Sequence, residues 1–230
     1  MKTKEELALL QKEINDSVEH LKDHLSGATG KPDGIINIEK YLSAELRIMW
    51  ILKEINSDGD GDQWNMIDTI KDWSGKPIPK NWRKTFNNIL YTTNGILTKT
   101  LWEDQQDQDE HPEITHQLSK IAYCNIKKVP GSSQTDMSLL KKYYNASEKH
   151  VLKQINKLEP QVIIFGNTYD IIEPDLSNLD YKKVEYKTME AYYSSNQIMI
   201  NAYHPQYLKI DSKDYCNDII KAVLEWKENL

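Results

Sequence analysis

Cysteine is scarce in this chain: two in 230 residues, Cys124 and Cys216, far apart and in no Cys-x-x-Cys pairing. That excludes a zinc ribbon or an iron–sulfur cluster built from the thiolates of one chain, and it suits a reduced, cytoplasmic setting. Long apolar runs are missing as well. The opening "MKTKEELALLQKEI" has charges every few residues where a secretory signal needs an apolar core, and no later stretch approaches the length of a membrane span. Neither secretion nor membrane insertion is expected. Net positive charge is also absent: 29 Lys and Arg against 35 Asp and Glu leave a formal charge of −6, which argues against a protein that coats nucleic acid. Internal repeats and low-complexity tracts are lacking, and length favours one substantial α/β domain.

Two tempting motifs fail on inspection. The Gly-rich "SGATGKPDG" lacks the spacing of a phosphate loop, and Pro32 stands where Ser or Thr should follow the lysine. The acidic "DGDGD" at 58–62 imitates a calcium loop, but Gln63 occupies the place of the turn glycine and Thr69 that of the bidentate Glu. No metal and no cofactor are expected.

What is present has a clear order. Leu7, Leu10, Ile14, Val18, Leu21 and Leu25 recur at steps of three and four, which predicts an amphipathic helical extension over about residues 1–30. "LRIMWIL" (46–52), "KIAYCNI" (120–126), "QVIIFG" (161–166) and "NQIMINAY" (196–203) are compact apolar runs suited to buried strands. Helices are predicted at 81–91, at 147–158 with Ser147 as N-cap and Pro160 beyond its end, and at 213–230. The Tyr-rich span "YKKVEYKTMEAYYSSN" fits a strand pair, a lid or a DNA-contacting insertion. Short apolar strands alternating with helices imply a three-layer α/β/α fold around a central, mainly parallel four-stranded sheet, in a single domain spanning 1–230.

Ligands of such sheets bind beyond the carboxyl ends of the strands. The residues at or just past the four predicted ends are Glu54, Asn125, Gly166 and His204, the last in "INAYHPQYLKI". Each type is commonplace by itself: a surface carboxylate, a turn-forming amide, a glycine, a lone histidine. Brought to one edge from distant positions, they make a candidate site. Charge is also uneven. Segment 71–84 has five basic residues against Asp72, and 120–153 has seven lysines against Asp136 and Glu148, while 102–113 is strongly acidic. The basic segments are either solvated faces or an anion-binding face.

Over residues 46–210 the chain resembles the uracil-DNA glycosylase superfamily, through the order of strand plus loop, "YCNIKKVPG", "LEPQVIIFGNT" and "YHPQYL". The resemblance implies a glycosylase fold, a DNA partner (single- or double-stranded), a monomer, and no cofactor. It implies that Asn125 reads the Watson–Crick edge of a flipped base beside Gly166, and that His204 serves the carbonyl oxygen of the departing base. Glu54 is the implied counterpart of the catalytic carboxylate in the first motif, Trp73 the aromatic that stacks on the base, and Leu208 the apolar wedge. Gln206, Lys127 and Lys128 are the implied DNA contacts. The Gly and Pro usual in the first motif are replaced within "LKEIN", and Asn56 sits near the place of a Tyr that blocks a C5 methyl. The resemblance therefore implies room for a modified pyrimidine, in keeping with the policing of foreign or phage DNA.

The chemistry suits these residue types. Cleavage of an N-glycosidic bond develops positive charge on the sugar and negative charge on the base, so a carboxylate and a hydrogen-bond donor are both needed. The nucleotide must also flip, at a few kcal/mol. Two alternatives stand beside the enzyme: a silent module that binds a base, nucleotide or nucleic-acid end, and an enzyme of free nucleosides or nucleotides.

Overall fold

A computed structural model describes residues 2–19, 29–55, 64–131, 135–147, 149–176, 181–207 and 209–229. Asn56, Leu208, Leu21, Leu25 and the "DGDGD" segment lie outside the described residues. The elements in chain order are α1 (Lys4–Glu19), β1 (Gly34–Ile35), α2 (Ile38–Ser43), β2 (Ile48–Leu52), α3 (Met66–Asp72), α4 (Arg83–Thr98), β3 (Ile121–Asn125), α5 (Met137–Ala146), α6 (His150–Leu158), β4 (Val162–Gly166), α7 (Tyr169–Leu176), β5 (Lys182–Glu185), β6 (Met189–Tyr193), β7 (Ile198–Ala202) and α8 (Ser212–Glu228). Among the described residues no helix is long and apolar enough to cross a membrane.

The sheet has seven strands in the order β1-β3-β2-β4-β7-β6-β5. The four apolar runs form its centre, β3-β2-β4-β7, and every pairing among them is parallel. The expected four-stranded sheet is thus too small: β1 adds antiparallel to β3 on one side, and β6 then β5 add antiparallel beyond β7. The added strands gave little apolar signal, because β1 is only two residues long and the side chains of β5 lie mostly in solvent. The Tyr-rich span is this β5–β6 strand pair.

Central strands covered on both faces must be apolar throughout, and β2 is buried at all five positions. Alternation sends Ile48, Trp50 and Leu52 toward a core shared with α3, α4 and α8, and Met49 and Ile51 toward one shared with α1, α5, α6 and α7. Each such large side chain removed from water stabilises by about 1.5–3 kcal/mol. The buried Trp50 indole donates to Thr93 Oγ1 of α4 at 3.2 Å, which fixes that helix against the sheet. The connection from β2 to β3 runs through the first helical layer, and that from β3 to β4 through the second. The topology therefore opens a crevice beyond the carboxyl end of β2.

Two local expectations change. The N-terminal helix is part of the second layer: α1 buries Leu7, Ile14 and Val18, and Gln11 bonds both the N–H and the C=O of Ile35, covering the edge of β1. Ser147 closes α5, donating its N–H to Tyr143 O at 2.9 Å, while α6 begins only at His150 after Lys149 adopts φ 55°.

Candidate functional site

Register fixes what stands at the carboxyl edge. Leu52 pairs with Asn125, Ile51 with Phe165, and Gly166 with Ala202, so Asn125, Leu52, Gly166 and Ala202 form the last row. Strand alternation turns these four toward α3, α4 and α8. Glu54 and His204 each follow two residues beyond the row. The structure thus brings Glu54, Asn125, Gly166 and His204 to one edge.

Gly166 is needed for packing. A Cβ there would lie 2.3 Å from Leu52 Cδ2 and 3.0 Å from Pro205 Cδ, so its absence lets the His-Pro segment close over the row. That segment is held from both flanking helices. Asn88 of α4 donates its Nδ2 to Pro205 O at 2.7 Å, and Tyr215 of α8 donates its hydroxyl to Tyr203 O at 3.0 Å. Within the turn, Tyr207 N donates to His204 O at 2.8 Å.

His204 Nδ1 accepts the backbone N–H of Gln206 at 3.2 Å. This places the proton of the neutral ring on Nε2. Burial pushes the imidazole down to about 4, with the positive charge of Lys53 adding to the effect. At neutral pH His204 is an uncharged Nε2–H donor on a fastened loop.

Glu54 sits where backbone pairing continues past the strands, with Ile126 N donating to Leu52 O and Lys127 N to Lys53 O, both at 2.9 Å. Its Oε1 accepts the Thr135 hydroxyl at 2.8 Å. Its Oε2 is buried and has no partner among the described residues. Burial raises the carboxyl above the usual carboxylate range, partly offset by the Thr135 hydrogen bond and by the charges of Lys127 and Lys53. Gly131 gives it room, since a Cβ there would lie 2.6 Å from Glu54 Cγ.

Asn125 is completely buried, and neither Oδ1 nor Nδ2 has a hydrogen-bond partner among the described residues. The Tyr123 hydroxyl is near enough to feel the amide but makes no bond of hydrogen-bond geometry with it. The backbone of Asn125 is tightly held: its N–H donates to Asp33 Oδ2 at 2.7 Å. Asp33 in turn accepts Lys128 Nζ at 2.7 and 2.9 Å and Gln154 Nε2 at 2.8 Å, and Lys128 also donates to Gln154 Oε1 at 2.7 Å.

That cluster corrects one expected DNA contact. Lys128 has a side chain with no exposed surface and an ion pair with Asp33, so it is a structural strut that DNA cannot reach. Lys127 is partly exposed, but its ammonium lies 4.6 Å from the centre of the Tyr143 ring and 3.4 Å from Pro130 O. Trp73 is 5% exposed and packed against Trp82 and Phe86, with ring centres at 5.5 and 4.9 Å. Phe86 is stacked on Tyr123, two residues before Asn125, with ring centres at 5.4 Å, and Trp73 reaches Tyr123 only through Phe86. Gln206 is exposed at the turn and bonded to Thr85 at 3.3 Å. Asp33, Lys53, Thr135, Asn88 and Tyr215 escaped the sequence reading, because each works through a partner remote in the chain or through the electrostatics of the folded edge.

Among the described residues no group of His, Cys, Asp and Glu is arranged to hold a metal ion. Models of known protein families and curated proteins give no match to this chain.

Proposed function

We propose that the protein is a monofunctional DNA glycosylase with a uracil-DNA glycosylase-like fold, hydrolysing the N-glycosidic bond of a flipped uracil or C5-modified pyrimidine and leaving an abasic site. The observation that carries this is the buried, unpartnered amide of Asn125 at the same edge as the Nε2–H donor of His204 and the half-buried carboxyl of Glu54. An orphaned buried amide costs about 1–3 kcal/mol, which a ligand bearing both a donor and an acceptor would recover. The Watson–Crick edge of a pyrimidine is such a ligand. One orientation of the amide suits uracil or thymine, and the flipped one suits cytosine. Asn125 and Ala202, the residue two before His204, stand three strand spacings apart, about 14 Å between backbones. In this reading one pyrimidine lies between the side chains of Asn125 and His204.

In this reading Asn125 holds the base and His204 donates from Nε2 to the oxygen that gains charge as the bond breaks. Glu54 orients or deprotonates water and stabilises the cationic sugar. Lys53 adds a positive charge near the departing anion. Excision of a base enlarged at C5 suits the policing of foreign or phage DNA. The test is an abasic-site assay on single- and double-stranded DNA containing uracil, mismatched thymine or C5-modified cytosines, followed by alkaline scission. Release that vanishes in His204→Ala supports the reading, and release from none of the substrates sinks it.

One observation favours a silent binding module. Burial raises the carboxyl of Glu54, which weakens it as a counter-ion for a cationic sugar. Stoichiometric DNA binding without turnover, indifferent to Glu54→Gln, marks that alternative.

A further inference from the structure

A groove of about 520 Å³ is lined by the His-Pro turn and by the starts of α4 and α8, and Arg83, Lys84, Gln206, Tyr207 and Lys209 are among its lining residues. Its volume suits a nucleotide-sized ligand. The charges around it are not equivalent. Arg83 is committed to a two-pronged contact with Asp109 at 2.7 and 2.6 Å and to Ile78 O at 2.7 Å. Asp211 is committed to capping α8. Lys84 and Lys209 are exposed and form no ion pair among the described residues, so two free cations face this groove.

Beside them stands an aromatic pair. Tyr203 and Tyr207 are two of the few large hydrophobic side chains left exposed, at 46% and 38%, and their rings stack in parallel with centres 4.7 Å apart and planes 7° apart. Both sit on the turn that carries His204, pinned by the Tyr215 and Tyr207 hydrogen bonds already described. Preformed exposed rings beside cations are the combination that binds unpaired nucleotides, because every base has a face to stack and every phosphate a charge to neutralise. A paired duplex keeps its base faces covered.

We propose that this groove holds an unpaired nucleotide flanking the flipped one, its phosphodiester between Lys84 and Lys209 and its base on the Tyr203–Tyr207 pair, so that the preferred partner is a single strand. The inference rests on the glycosylase reading only for the flipped nucleotide next to the groove.

The test uses the full chain, a short fluorescent single strand without an excisable base, and the matching duplex, with anisotropy followed from about 50 to 200 mM salt. The single strand should bind more tightly than the duplex. In Lys84→Ala/Lys209→Ala the slope of log affinity against log salt should shrink by about 0.7, the contribution of one phosphate. Tyr207→Ala should weaken binding by about tenfold while Tyr207→Phe, which keeps the ring, should not. All of these substitutions are on exposed side chains, and unchanged thermal unfolding verifies that the fold is kept. An unchanged slope in the lysine double variant, duplex binding as tight as single-strand binding, or thymidine monophosphate bound as tightly as the strand would each overturn the proposal. Base release with no effect of these variants removes the groove and leaves the enzyme. Binding as described without base release does the reverse.

Discussion

Two groups of buried polar atoms meet at Asn125 and differ in how completely they are satisfied. On its backbone side, Asp33, Lys128 and Gln154 form a closed set in which both carboxylate oxygens, the ammonium and the amide are all engaged. The amide of Asn125 itself, and Oε2 of Glu54 at the same edge of the sheet, are buried atoms with no partner among the described residues. A saturated buried network supports the fold, since breaking it strands a charge; an unsaturated one costs stability until something else binds. The difference separates a lysine that looks like a DNA contact but is structural from an asparagine that looks structural but whose amide no described residue engages.

The sharpest way to break this comparison is through Lys128. Replacing it with Met leaves Asp33 charged and unpaired in the interior, and should lower unfolding free energy by about 3–5 kcal/mol in denaturant titrations. Combining it with Asp33→Asn should recover part of that loss. No loss in the single variant would mean that the pair carries no structural role.

On the unsaturated side, under the proposed glycosylase activity, the effect should fall on base release. Asn125→Ala should reduce base release by about 10²–10³, as loss of one preorganised polar contact does, and leave the midpoint of thermal unfolding in place. Glu54→Gln should reduce release by roughly 10², again without a loss of stability, because Gln still accepts from Thr135 and the buried charge is gone. A fall in stability matching the fall in release would place both residues in the structural group.

The smallest effect is a titration. The His204 ring, followed by NMR, should take up its proton near pH 4, against an ordinary value of 6.5. Between those values the unfolded chain binds a proton that the folded chain refuses, so His204 makes the fold lose stability as pH falls through that window. His204→Gln should remove this part of the acid sensitivity. The acid limb of base release should then follow Glu54, whose carboxyl titrates above its usual range, since His204 is already neutral there.

Much of the architecture was legible in the chain. The runs at 46–52, 120–126, 161–166 and 196–203 became the central parallel strands because burial on both faces leaves an unbroken apolar signature. The outer strands were hidden for the converse reason: β5 is mostly solvent-exposed, and β1 is too short to show a pattern. At the site, the gathering of Glu54, Asn125, Gly166 and His204 followed from strand order alone. The fate of "KK" at 127–128 did not. Adjacent residues face opposite ways, and what drew Lys128 inward is Asp33, 95 residues earlier in the Gly-rich "SGATGKPDG" segment. The groove was half visible, since Lys84 belongs to the basic segment 71–84, but its partner Lys209 comes from the far side of the His-Pro turn.

The most direct test of the central claim is the unfolding free energy of Asn125→Leu, which replaces the orphaned amide with an apolar group of similar size. If the amide is free to recognise a ligand and does nothing for the fold, the variant should be as stable as the parent or more so. A loss of about 2 kcal/mol or more, as for a broken buried hydrogen bond, would contradict the account by showing that the folded protein already satisfies the amide.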